Sequence, residues 1–178
     1  MPIVNKSPHP IVLDFIQQNY TYDSSTGKIQ YNNKIVGRSN KRKYIEITIK
    51  VISDRYLVLQ SRCNSHQIAW YLTYGYWPID KFIDHIDGDP SNNRISNLRL
   101  ATRNQNARNQ KKNINSDNTS KYKGVSLLRG NRWVAKIAFD GKNRGIGTYD
   151  TEREAALAYN VRAFELFGEF ARLNIIGE

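Results

Sequence analysis

Asp84 and His85 stand side by side, and Asn97 and Asn106 follow them within 21 residues. This set places a proton acceptor beside a hard-metal ligand, with further oxygen donors on later elements. Phosphodiester cleavage needs an activated water, neutralisation of charge on the transition state, and stabilisation of the leaving 3′ oxygen. An imidazole titrates near neutral pH, so His85 can take the water's proton. A divalent cation held by oxygen ligands serves the other two tasks, and Asp84 and Asn106 offer a carboxylate and an amide oxygen. On a basic chain the simplest reading is a metal-dependent nuclease.

The elements around the set must position it. Phe82 to Ile86 reads as a strand, Asp87-Gly88-Asp89-Pro90 as a turn or loop, and Asn97 to Leu100 as a short returning strand. Thr102 can cap a helix running to about Gln110. Neighbouring residues on a regular strand face opposite sides. Asp84 and His85 can therefore serve one phosphate only at a bulge or a strand end. Upstream, Pro10 to Asn19 has a short helical pattern. Ile29–Tyr31, Tyr44–Ile49 and Tyr56–Leu59 suggest antiparallel hairpins. Ser65 could cap a helix from His66 to Tyr74, with Ile68, Ala69 and Leu72 inward and Gly75 and Pro78 ending it. Asp87 and Asp89 fit turn formers better than a calcium loop, because Ile95 stands where an EF-hand needs Glu.

Across 178 residues the formal net charge is +11, which implies a polyanionic partner. Residues 101–145 hold eleven Lys and Arg against two Asp, so the polyanion-binding surface is expected there. No apolar run approaches the roughly 20 residues needed to span a bilayer. The segment Met1 to Lys6 lacks the apolar core of a signal peptide. These features favour an intracellular protein with no membrane partner. The single cysteine, Cys63, excludes an intramolecular disulfide and any zinc site needing two thiolates.

Asp84-His85-Ile86-Asp87-Gly88, the Asn92-Asn93 pair, Asn97-Leu98-Arg99 and Asn106 together resemble the HNH endonuclease superfamily, in its phage and intron-encoded homing branch. Ser65-His66-Gln67-Ile68-Ala69-Trp70 is similar to the His-Arg-Leu-Ala-Trp segment of that family. The resemblance covers about residues 20–110 and implies a ββα-metal site. It assigns His85 as general base, and Asp84 and Asn106 as ligands of one Mg²⁺ or Mn²⁺. Asn97 would brace the loop and hold His85 in position. The implied products carry a 5′ phosphate and a 3′ hydroxyl.

Residues 111–120 have linker composition. Beyond them, Gly124–Leu128, Arg132–Phe139 and Lys142–Tyr149 read as three strands, with Gly130-Asn131 and Asp140-Gly141 at the hairpin turns. Thr151-Glu152-Arg153-Glu154 is a capping box before an Ala-rich helix that Gly168 stops. Tyr122–Val125, Trp133–Ile137, Gly147–Thr151, Glu154–Tyr159 and Leu173-Asn174 resemble an AP2 DNA-binding domain, whose sheet enters the major groove. Ser126, Leu128, Gly130, Ala138 and Gly145 replace groove-reading residues of the plant pattern. Lys123, Arg132, Lys136, Asn143 and Arg144 remain as DNA contacts, joined by Arg103, Arg108, Lys111 and Lys112 nearer the nuclease segment. Trp133 is expected in the core.

The expected fold is α+β, with a nuclease domain at 1–110, a linker at 111–120 and an AP2-like domain at 121–178. The expected activity is site-specific, metal-dependent cleavage of double-stranded DNA by a homing enzyme that binds as a monomer without an obligate protein partner. The rival from another class is a non-catalytic, sequence-specific DNA-binding regulator. RNA binding is a further rival, although the three-strand module lacks the aromatic pattern of an RRM.

Overall fold

The computed structural model describes residues 6–53, 56–112 and 119–177. Residues 113–118 of the expected linker, and Met1 to Asn5, lie outside the described residues. The fold is α+β with antiparallel sheets, and the chain divides into two compact units, 1–103 and 104–178.

In the first unit α1 (Pro10–Asn19) starts with proline at its first position, where no N–H is needed, and buries Val12 and Ile16 four residues apart. A three-stranded sheet follows: β1 (Tyr20–Asp23), β2 (Lys28–Tyr31) and β3 (Lys34–Ile35). Asn32 and Asn33 both take positive φ between β2 and β3, the conformation of a two-residue hairpin turn. A second sheet joins β4 (Arg38–Ser39), β5 (Ile45–Ser53) and β6 (Tyr56–Asn64). The period-two pattern of β5 puts Ile47 and Ile49 into the core and Thr48 and Lys50 outside. α2 (Ser65–Tyr74) lies against these strands with Ile68 and Ala69 fully buried. Its cap is Asn64, not Ser65, which forms the first helical residue. The Asn64 N–H donates to Gln67 Oε1 at 3.1 Å, completing a capping box one position earlier than the sequence suggests. Gly75, at φ 76°, ends the helix and donates to Tyr71 O. β7 (Phe82–His85) and β8 (Leu98–Ala101) form a two-stranded antiparallel ribbon, with a single 3₁₀ turn at Ile95–Asn97 before the return.

The second unit opens with α3 (Arg103–Asn109), of which Arg103 belongs to the first. It continues with the sheet β9 (Val125–Leu128), β10 (Arg132–Phe139) and β11 (Lys142–Tyr149), with β10 central. The two-residue Asp140-Gly141 turn has positive φ at both residues, and the three-residue β9–β10 loop has it at Gly130 and Asn131, as tight hairpins between twisted strands require. α4 (Glu152–Phe167) is capped reciprocally by Thr151 and Glu154. Ala155, Ala156 and Ala163 are fully buried, so the helix backbone lies close to the sheet.

Gly124 marks the tightest approach. It sits at φ 76°, and an added Cβ would overlap the Tyr159 ring and lie 2.6 Å from Lys136 O. We expect Gly124→Ala to destabilise the second unit by about 2 kcal/mol or more, combining backbone strain with overpacking. Urea unfolding followed at Trp133 checks this, and the first unit should keep its midpoint.

Candidate nuclease site

The ribbon β7–β8 runs in register from Phe82 opposite Ala101 to His85 opposite Leu98, without a shift. His85 is therefore the last residue of its strand, and the chain turns away at Ile86. The pair stands at a strand end, and the ribbon carries no bulge. Asp84 and His85 are each only 5% exposed, so their polar atoms must be satisfied internally.

Two partners are fixed by this fold. Asp84 lies opposite Arg99 in the ribbon, and its Oδ2 accepts from Arg99 Nε at 3.0 Å and forms an ion pair with Nη2 at 2.9 Å. His85 Nε2 lies 2.9 Å from Oδ1 of Asn93, itself buried. An amide oxygen only accepts, so Nε2 carries the proton of this bond. Asn93 thus selects the tautomer. Tyr44 and His66 complete the surroundings. The His66 ring meets His85 nearly edge-on, with centroids 5.1 Å apart, and Tyr44 lies 5.6 Å from His66 and 6.0 Å from His85.

The loop between the strands is tied by its own side chains. Asn97 Nδ2 donates to Asp87 Oδ1 and to Asn92 O, and Asn97 Oδ1 accepts from the Asp87 N–H. Asn92 Nδ2 donates to Asp87 Oδ2, and Asp89 accepts from Ser91. Burial raises the Asp87 carboxyl, but bonds from Asp89, Asn92 and Asn97, with the nearby His85, outweigh it and hold the group below its usual range. Asn97 thus clamps the loop, whereas the hydrogen bond to the His85 ring comes from Asn93. Nothing in the spacing distinguished Asn93 from its neighbours, since only the folded loop turns it inward. Arg99 was accessible in principle, because two equal strands pair Asp84 with it.

The β1–β2 hairpin holds this loop from outside. Tyr22 donates to Asn93 O at 2.9 Å, and Arg94 donates through Nε to Ser25 O. Asp23 accepts from Ser25 and Thr26, and these bonds pull its carboxyl down to about 2. A Cβ on Gly27 would lie 2.6 Å from Arg94 N and 2.7 Å from the Asn93 carbonyl carbon.

The other expected site residues fall in the second unit or at its start. Asn106 is half-buried on α3, and Arg103 and Lys111 are exposed. On β10, Arg132 and Lys136 are exposed on the sheet face away from the buried Ala135 and Ile137, and Asn143 pairs with Ala138 on that face. Arg132 also pairs with Asp150 at 3.2 Å. Arg144 instead pairs with the buried Ile137, and its guanidinium lies 5.3 Å from the Phe139 ring centre. Arg108, Lys112 and Lys123 donate to backbone carbonyls. Trp133 is half-buried and packs on the core.

The described residues contain no group of three or more His, Cys, Asp or Glu side chains able to hold a metal. A carboxylate such as Asp84 and an amide oxygen such as Asn106 are each of a donor type that a hard cation takes. No helix among the described residues is long and apolar enough to cross a membrane.

A buried histidine tautomerised by an asparagine, beside a carboxylate fixed by arginine on a strand–loop–strand ribbon, defines a nuclease-type fold joined to a sheet-and-helix module. A profile described as HNH endonuclease matches residues 63–108. The chain is 36% identical over 108 residues to Protein 3.8 of Escherichia phage T7, covering 60% of this chain and 87% of that protein. An uncharacterized HNH endonuclease of Acanthamoeba polyphaga mimivirus is 42% identical over 102 residues, 57% of this chain. The chain spans about half, 51%, of that relative's length. Dehydration-responsive element-binding protein 2D of Arabidopsis thaliana is 48% identical over 64 residues, 33% of this chain and 30% of its own length. The protein belongs to the HNH endonuclease family, and its C-terminal segment is AP2-like.

Two outcomes follow from the site. Gly27→Ala should destabilise the first unit by about 1–3 kcal/mol and displace Asn93 from His85, visible as an altered His85 ring signal by NMR. Burial first, then the charge of His85, pushes the His66 pKa from 6.5 down to about 3. Its folded pKa is depressed, so the unfolded chain takes up a proton first. The stability gained by keeping His66 neutral is present above pH 6.5 and is lost as pH falls towards 3. His66→Phe should flatten that acid limb in urea titrations of the first unit.

Proposed function

We propose that the protein is a metal-dependent, site-specific DNA endonuclease of the homing type. The observation that carries this reading is the His85 ring, whose Nε2 is bound to Asn93 at a strand end beside the Arg99-fixed Asp84. In this reading His85 Nδ1 takes the proton of the attacking water. Asn93 keeps the opposite nitrogen protonated and the ring plane fixed. Arg99 sets the Asp84 rotamer, and Asn97 maintains the loop. Asp84 and Asn106 are the ligands of one Mg²⁺ or Mn²⁺ per site, which when bound supplies charge neutralisation at the phosphate and the leaving 3′ oxygen. The products carry a 5′ phosphate and a 3′ hydroxyl.

The nuclease domain in this proposal spans 1–110, the linker 111–120 and the DNA-binding domain 121–178. Double-stranded DNA is the partner, bound by a monomer inside the cell. Lys136, Asn143 and Arg132 on the open sheet face, with Arg103 and Lys111, are the contacts best supported by exposure. Two linked modules raise each other's effective concentration on one duplex.

The test is nicking of a supercoiled plasmid library with random inserts, which removes dependence on one sequence. Wild type with Mg²⁺ should give open-circle product, and EDTA should abolish it. His85→Ala should lose about 10²-fold or more in rate while retaining duplex binding. Cleavage unchanged in His85→Ala would overturn the mechanism. Tight, metal-independent binding with no cut in any library member would favour the non-catalytic regulator.

A further inference from the structure

Three cations expected to grip phosphate are committed elsewhere. The Lys112 ammonium donates to the carbonyls of Ser120, Tyr122 and Val125 at 2.8, 3.0 and 3.2 Å. An ammonium has three N–H donors, so this cage uses all of them. The Lys123 ammonium donates to Arg108 O and Gln110 O, each at 2.7 Å. Arg108 in turn lies 4.5 Å from the centre of the Phe167 ring and donates through Nη1 to Ala138 O at 2.7 Å. The bonds run in both directions: residues 108 and 112 reach into the sheet-and-helix module, and residue 123 of the module reaches back to 108 and 110.

The anchor points are themselves rigid. Asn174 Oδ1 accepts from the Lys123 N–H at 2.6 Å, and Asn174 Nδ2 donates to Lys123 O. Asn160 on α4 brackets the Asn174 backbone with two further bonds. Burial lowers the pKa of Lys112, and burial with Arg172 and Arg108 brings that of Lys123 to about 8. That is the signature of cations withdrawn from water, not of ammoniums waiting for phosphate. Asn109, the last residue of α3, is buried.

The geometry points to Arg108, Lys112 and Lys123 as a staple that makes α3 part of the AP2-like module, so that this module positions Asn106 for the nuclease reaction as well as holding DNA. The three are positioning residues. The inference rests on the proposed role of Asn106 as a metal ligand. It gives these cations a structural use: Lys123 supplies donors to the carbonyls of Arg108 and Gln110 at the end of α3, and Lys112 supplies them to the carbonyls of Ser120, Tyr122 and Val125.

The test uses the full chain, with Lys112→Met and Lys123→Met, which keep stem volume and remove the charge. Hydrogen exchange should show α3 amides losing protection, while β9–β11 stay protected. The salt slope of binding to a mixed-sequence duplex should remain that of wild type. Lys136→Met serves as the comparison and should lower that slope by about one. Single-turnover cleavage at saturating enzyme should fall ~10²-fold, with the apparent binding constant little changed, as expected when a ligand is misplaced by about 1 Å. Unchanged α3 protection would overturn the staple. A salt slope reduced by about one per substitution, with full-rate cleavage, would show phosphate contacts instead. Released α3 with undiminished cleavage would break the link to Asn106. If wild type never cleaves, the nuclease reading fails and takes the Asn106 link with it, while exchange still decides whether the staple exists.

Discussion

The site depends on a buried imidazole having a defined hydrogen-bond partner. A ring nitrogen left unpaired at such burial costs about 1–3 kcal/mol, and a ring free to flip presents the wrong nitrogen to water. Asn93 removes both problems through one 2.9 Å bond. Asn93 lies eight residues from His85 in a loop without regular structure, so something must hold the loop. Asn97, Asn92 and Asp87 do so from within, and Tyr22, Arg94 and Gly27 hold it against the β1–β2 hairpin. The N-terminal hairpins therefore serve the site by fixing the chain that fixes the histidine.

Charge in the second unit has two uses that composition cannot separate. Lys136, Lys111 and Arg103 stand in solvent, where a cation can exchange counterions for phosphate. Lys112, Lys123 and Arg108 have donors engaged by carbonyls and contribute to folding. A count of Lys and Arg thus overstates the DNA footprint.

Local signals were legible wherever a residue's conformation is set by its neighbours in sequence. Proline at the start of α1, the Gly130-Asn131 and Asp140-Gly141 turns around β10, the Thr151–Glu154 box and the Gly168 stop each act within a few residues, and each element stands where those signals put it. Ser65 was a reasonable cap by type, but Asn64 has the extended backbone a cap requires because it ends β6. The sequence left a bulge or a strand end open at Asp84-His85, and the strand ends at His85.

What the sequence by itself determined is the α+β class and the elements whose ends carry local signals, such as α1, the three-stranded sheet of the second unit and α4, because these follow from short-range propensity and spacing. The tertiary structure alone decided that Asn93 tautomerises His85, that Arg99 fixes Asp84, and which cations face water. Those outcomes depend on loops closing and on carbonyls at helix ends finding donors 8 to 15 residues away. A one-dimensional pattern does not encode such meetings, because many side chains of the right type compete for each partner and only packing selects among them.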